Sequence, residues 1–333
     1  MKEPKSPVVK AQAEPPPFCG KPVSRKQWKI LREILDTCGF SRHELANTIC
    51  EALGWVRPNG RLKARECYEY LNLLETRGLV ELPKQNEKRG RGPTSITYTE
   101  AGQEGQPREG TLSDVSPVRL GLVTTAQERA LWRELVERYH YLGHKVAYGA
   151  HLRYLVWIST PAAELAGCVQ FSSAARRLSS RDAYIGWDEE ACRRNLQQIV
   201  NNSRFLILPW LSIRGLASHV LSLSARVMVD DWNEAYKVKP VLLETFVDPE
   251  RYEGTCYLAA NWIDVGQTTG RGRAGPNRPA VGSAKTCLVY PLRADFRRRL
   301  CGESREGESG PTPKAPGVPT SAGRKGGGGR GKG

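Results

Sequence analysis

No stretch of this 333-residue chain comes near the run of about 18 apolar residues that a membrane-crossing helix needs. Its first residues, MKEPKSPVVKAQAEPPPF, hold no apolar core of the kind a secretory leader carries, so neither a leader nor a membrane anchor is expected. Nine cysteines are scattered along the chain without one CxxC pair, and no Cys/His group has zinc-ligand spacing. Thiols used this way fit buried or idle positions in a reducing cytoplasm, and no metal site is expected.

What the chain does have is positive charge. Lys and Arg exceed Asp and Glu by 15, and the pI is about 9.5. A surplus of this size points to a polyanionic partner, most simply nucleic acid. A solvated basic surface would give the same total.

Residues 1–23, rich in Pro, Lys and Ala, are expected to lack structure. Residues 24–100 carry three helical patterns. Trp28, Ile30, Leu31, Ile34 and Leu35 form the first, which Gly39 is placed to end. Ser41-Arg-His-Glu44 is a capping box opening the second, which runs to Gly54. Cys67, Tyr70, Leu71 and Leu74 mark the third, from about Leu62 to Gly78. Short strands at Leu79–Leu82 and Ser95–Thr99 would then form a hairpin with a basic tip. That order is the winged-helix layout. It places Arg57, Arg61, Lys63 and Arg65 near the major groove, and Lys84, Lys88, Arg89 and Arg91 of the wing against phosphates. Winged helices also serve protein contacts, and that alternative stays open.

Residues 101–123 show no periodicity and are expected to be a linker. The second domain, 124–301, opens with an amphipathic helix over Gln127–Tyr139 and paired strands at 146–158 and 165–171. Its core is strand, helix, strand, helix between Ile199 and Trp262: apolar runs at Arg204–Leu208 and Val241–Phe246, a long helix to Tyr236, and a second from Arg251. Between the first strand and the long helix lies Ser212-Ile213-Arg214-Gly215-Leu216-Ala217. A glycine at such a turn leaves backbone N–H groups free at a positive helix terminus, a seat for a phosphate-bearing cofactor. A last strand at Lys285–Pro291 and a short helix at Ala294–Leu300 follow. Residues 302–333 collapse to Gly, Pro, Ser, Lys and Arg, a basic tail expected to be disordered. The fold class is therefore α+β, a winged helix followed by a mixed-sheet α/β domain between disordered ends.

Several segments resemble known proteins: Tyr139-His-Tyr-Leu-Gly143, Leu165–Phe171, Asn195–Pro209, Leu243–Pro249, Tyr252–Trp262 and Val265–Arg273. The second domain looks like the Gcn5-related acetyltransferase (GNAT) fold in its distant Mom-like branch. More narrowly the chain resembles the DruA family of Druantia anti-phage systems, over roughly Lys26 to Leu300. The resemblance implies acetyl-CoA or another acyl-CoA at Ser212–Ala217, which fits the family loop at Gly215 and Ala217 but has Ser where the pattern has Gln or Arg. It implies Tyr257, five residues before Trp262, as general acid and Glu244 as general base. His140, Tyr141, Asn201, Asn202 and Arg204 would complete the cleft, and Arg271 and Arg273 would grip phosphates. The implied role is a DNA-binding cytoplasmic defence protein whose second domain transfers an acyl group or modifies a base. Two alternatives stay open: a non-enzymatic adaptor recruiting a partner such as a helicase to DNA, and a transposase-related mobile-element protein using Asp230, Asp231, Glu244 and Asp248.

Overall fold

The computed structural model describes residues 14–84, 95–147, 149–269 and 283–302, all in one unit, Met1–Glu303. None of its helices is long and apolar enough to cross a membrane.

Three helices open the chain. In α1 (Arg25–Thr37) the Ser24 hydroxyl accepts from the Gln27 N–H, and the Gln27 side chain answers the Ser24 N–H, the reciprocal cap that satisfies two orphan donors. Ser41 caps α2 (Arg42–Leu53) in the same position, and Gly54 stops it at φ +64°. α3 (Ala64–Thr76) buries Cys67, Tyr70, Leu71 and Leu74. Residues 1–23 were expected to be unstructured, yet their last part is anchored. Phe18 is buried, stacks on Trp55 at 3.8 Å and meets Tyr70 edge-on. The Tyr70 hydroxyl donates to the Pro16 carbonyl at 2.8 Å. One aromatic in a Pro-rich stretch is enough to pin it.

Among the described residues the two strands expected for the wing are not formed. Neither Leu79–Leu82 nor Ser95–Thr99 is a strand. Side chains take the backbone groups that a ladder would use. Arg32 donates to the Leu79 carbonyl and Arg42 to the Pro83 carbonyl, at 2.8 and 2.7 Å. Buried Glu134 accepts from both the N–H and the hydroxyl of Thr99, each at 2.7 Å. Lys88, Arg89 and Arg91 lie outside the described residues.

The expected linker 101–123 instead supplies β1 (Arg108–Thr111), α4 (Leu112–Val115) and β2 (Arg119–Leu122). Each strand is four residues and carries a glycine, too short for an alternating pattern to show. Then follow α5 (Ala126–Tyr139), β3 (His151–Ile158), β4 (Glu164–Ser173), α6 (Ser179–Ile185), α7 (Glu189–Asn195), β5 (Ile199–Ile207), β6 (Leu211–Arg214), α8 (Leu216–Tyr236), β7 (Leu242–Val247), α9 (Thr255–Ala259), β8 (Ile263–Gln267), β9 (Thr286–Pro291) and α10 (Phe296–Cys301).

Seven strands make one mixed sheet in the order β2-β3-β4-β5-β7-β9-β8. Every pairing is antiparallel except β5 with β7. Those two are joined by α8, the long crossover that a parallel pair requires. α8 buries Leu216, Val220, Leu221, Ala225, Met228 and Trp232, a stripe at helical spacing. Its last residue ties the helical bundle to the sheet. The Tyr236 carbonyl accepts from Gly39 at 2.7 Å, while its hydroxyl donates to the His151 carbonyl at 2.8 Å. The helix expected over Arg251–Trp262 shrinks to the five residues of α9. Asp248 draws the N–H groups of Glu250, Arg251 and Tyr252 into a turn, and Gly254 at φ +72° starts the helix afresh.

Candidate functional site

β5 and β7 diverge. Their pairing covers only Ile199↔Leu242, Val200↔Leu243 and Asn201↔Glu244. Beyond that point β5 runs on to Ile207 against β4, and β7 runs on to Val247 against β9. The gap opens toward the C-terminal ends of both strands, the end from which the chain leaves β5 for Gly215. A bulge sharpens the divergence: Gln170 faces Arg204 but Phe171 faces Asn202, leaving Ser203 as the extra residue. Inside the gap, the Thr245 hydroxyl donates to the Asn202 carbonyl at 2.9 Å. The Tyr257 hydroxyl donates to Asn202 Oδ1 at 2.7 Å.

Tyr257 is thus where the family resemblance puts an acid, but it is buried. Burial pushes its phenol well above the usual range, with Thr245 pulling weakly the other way. It stays protonated at any physiological pH, and its proton is held by Asn202.

Glu244 is at the closed end of the gap, 0% exposed. Its Oε2 accepts from Arg181, itself 0% exposed, at 2.7 Å. Its Oε1 accepts from the Ala175 N–H at 2.7 Å. Asp182 binds the other side of the guanidinium at 2.8 Å, and Trp187 Nε1 donates to Asp182 at 3.1 Å. Burial alone would lower the Arg181 pKa; Glu244 and Asp182 overcome it and raise it. Both oxygens of the expected general base are thus engaged, Oε2 by Arg181 and Oε1 by the Ala175 N–H. No pattern around Arg181 marks it in the sequence.

His140 caps α5, and its Nδ1 accepts from the Leu142 N–H at 3.2 Å. Burial, then Arg204 and Lys285, lower its pKa to about 4. It is a neutral imidazole whose accepting nitrogen is already used, so Nε2 carries the proton. Its Nε2–H is therefore a donor at neutral pH. Tyr141 meets Tyr252 edge-on at 5.3 Å, with Arg251 over its ring. Asn201 pairs with Glu244 in register. Arg204 Nε donates to the Gly143 carbonyl at 3.3 Å. Within this polar set Asn202 bridges to Tyr257 and Thr245, and Asn201 lies in register with Glu244 where the strands still pair.

The cofactor segment is partly different from its expected turn. Ser212, Ile213 and Arg214 are in β6, hydrogen-bonded in parallel to β1, because the supposed linker supplies an edge. Gly215 is exposed at φ +82° and caps α8 without a side-chain partner. Leu216 and Ala217 start the helix, whose first N–H groups have no intrahelical acceptor.

Of the basic residues assigned to the groove, Arg57 and Arg61 share one turn, the Arg57 N–H donating to the Arg61 carbonyl at 2.7 Å. Arg57 pairs with Glu66 at 2.7 Å and Arg65 with Glu69 at 3.2 Å. Lys63 lies over the Phe18 ring. Arg61 and Lys84 are exposed. Arg271 and Arg273 lie outside the described residues. Of the carboxylates a metal-dependent transposase would need, Asp231 accepts from Tyr154 at 2.8 Å and Glu244 is paired with Arg181. Among the described residues no group of three or more His, Cys, Asp or Glu is placed to hold a metal.

No curated protein matches the chain. Similar solved structures include a spermidine N-acetyltransferase from Vibrio cholerae in complex with CoA and spermine, at 10% identity and TM-score 0.34, covering 52% of this chain and 95% of that one. FeeM, an N-acyl amino acid synthase from uncultured soil microbes, gives 13% identity and TM-score 0.34, covering 55% and 94%. The CoA-dependent acyl-homoserine lactone synthase MesI gives 14% and 0.29, covering 56% and 97%. All three are remote likenesses. The family described as Druantia protein DruA matches residues 72–276, which span the diverging strands, the Gly215 turn and Tyr257; the chain belongs to the DruA family.

Proposed function

We propose that this protein acts in Druantia anti-phage defence by binding an acyl-CoA in the gap between β5 and β7, in the manner of GNAT domains. The observation that carries this reading is the parting of the two strands after Asn201 and Glu244. It leaves the β7-facing backbone of β5 available to an extended, amide-containing chain, while the uncapped start of α8 at Gly215 offers N–H groups to a pyrophosphate. The acyl-CoA supplies an activated acyl group when bound. Tyr257 would hold a proton next to the leaving sulfur, released from Asn202, and His140 Nε2–H would steady the acceptor.

The helices α1–α3, with Arg61 and Lys84 exposed, are proposed to bring DNA to this cleft, and a defence helicase is the proposed protein partner. A second reading is favoured by one specific observation: the expected base Glu244 is ion-paired with buried Arg181, as a scaffold residue would be. On that reading acyl-CoA is a bound ligand and the chain an adaptor. Calorimetric titration of acetyl-CoA into the full chain tests both. Micromolar binding lost about tenfold in Gly215→Val, whose φ of +82° a branched residue resists, supports the site. Acyl transfer to a DNA or amine acceptor separates enzyme from adaptor, and absence of binding refutes both.

A further inference from the structure

Among the described residues, two guanidinium groups stand on one face of the sheet without a counter-charge. Arg153 on β3 is the register partner of Gln170 on β4, and Gln170 is the register partner of Arg204 on β5. Residues directly opposite one another share a face, so the three form a row across three strands. The hydrogen bonds run along it: Arg153 Nε donates to Gln170 Oε1 at 2.9 Å, and Gln170 Nε2 donates to Ser203 Oγ at 3.0 Å. Trp132 of α5 underlies Arg153 at 4.8 Å. Arg204 donates only to the backbone carbonyls of Gly143 and Ser203.

Among the described residues neither guanidinium has a carboxylate within ion-pair distance. The nearby Glu137 is held by the His144 N–H at 2.6 Å. The other groups felt at the row are cationic or neutral donors. Arg133 and Arg129 add to burial in lowering the Arg153 pKa to about 10. Arg204 and Lys285 bear on His140, whose Nε2 donates. Two half-buried, uncompensated arginines are costly unless an anion completes them.

We propose that the Arg153–Gln170–Arg204 row is a seat for the phosphoryl group of a phosphate ester, separate from the acyl-CoA site at Gly215. A phosphate ester carries up to two negative charges and three acceptor oxygens, which matches two planar forks with further donors alongside better than a single carboxylate does. The ester is a small nucleotide or the backbone of a nucleic-acid strand. The seat stands whether or not the protein transfers an acyl group.

The test uses the full chain with saturating CoA present, titrated with AMP by calorimetry and with a short labelled oligothymidylate by anisotropy. Wild type should bind at least one of them, more weakly as salt rises. Arg153→Gln and Arg204→Gln should each weaken that binding about tenfold, while Arg298→Gln, on the exposed face of α10, leaves it unchanged. AMP binding identifies a small ester and oligonucleotide binding alone identifies a strand; either upholds the seat. The unliganded glutamine variants should melt at or above the wild-type temperature, because an unpaired buried charge has been removed. No binding of either probe at millimolar concentration would overturn the proposal. So would variants that bind like wild type, variants that melt several degrees lower with binding intact, or AMP binding that is seen only when CoA is left out.

Discussion

The buried Arg181–Glu244 pair offers the sharpest test of what β7 contributes. If Glu244 is structural, Glu244→Gln removes the charge that balances a guanidinium 0% exposed. The amide can still accept one hydrogen bond, from Ala175 or from Arg181, and Asp182 keeps its contact on the far side of Arg181. Breaking one partner of a buried pair costs about 3–5 kcal/mol; the remaining Asp182 contact sets the expectation at about 3 kcal/mol. At about 2–4 °C per kcal/mol for a domain of this size, melting should fall by roughly 6–12 °C. The double variant Arg181→Met/Glu244→Leu, which removes both charges, should recover much of that loss. Differential scanning calorimetry of the full chain reads all three. If Glu244→Gln melts with wild type yet abolishes acyl transfer, the structural assignment is wrong and Glu244 is the base after all.

Tyr257→Phe should lower stability by about 1–2 kcal/mol in calorimetry, since it leaves the buried Asn202 Oδ1 without its donor. If Tyr257 is the acid, the same change should slow acyl transfer about a hundredfold in a thiol-release assay without altering acetyl-CoA affinity; unchanged turnover would remove it from the chemistry. Glu51, crowded by burial and by Glu44 against the weaker pull of Arg176 and Arg181, has its pKa raised from 4.5 to about 8. The folded chain then holds a proton that the unfolded chain releases, so this contribution is full below pH 4.5 and is lost as pH rises through about 8. With about 1.4 kcal/mol per unit, and a discount for the residue's part-exposure, stability should fall by about 2 kcal/mol across that window. Urea melts of Glu51→Gln should lack this slope; an identical slope in both proteins would refute it. Gly102→Ala should destabilise by about 2 kcal/mol or more, because its Cβ would lie 2.2 Å from Glu134 Oε1, and a melt matching wild type would show that Thr99 and Glu134 are not locked together.

The helices were the most legible part of the chain. Their caps are local chemistry: Ser24, Ser41 and Thr125 each accept from an N–H three residues on, so the sequence pattern and the hydrogen bond coincide. The central strands were legible as apolar runs because both faces are covered. What failed was structure made by partners distant in sequence. β1 and β6 are strands only because they meet each other, and neither REGT nor LSIR has a pattern that says so. The wing failed for a related reason. Its composition suits a hairpin, but Arg32, Arg42 and Glu134, from other elements, capture the backbone groups first.

The cleft divides along the same line. The places of Tyr257 and the Gly215 turn were readable because they depend on short spacings, five residues to Trp262 and a glycine directly before a helix. The partner of Glu244 was not readable, because a carboxylate in a largely apolar strand carries no sign of what faces it. Its partner Arg181 is 63 residues upstream on α6, and only the fold brings them together. Arg153 and Arg204 show the reverse case: each is a charge set within a central strand of the sheet, as Glu244 is. The same anomaly therefore has two outcomes, decided by the neighbour. Where an opposite charge faces it, as in Arg181–Glu244, the group becomes scaffold and holds the closed end of the diverging strands. Where only neutral acceptors face it, as with Gln170 between two arginines, the charge remains available to a ligand. Charged residues within apolar strands are for that reason better guides to where this sheet does chemistry than the nature of the charge itself.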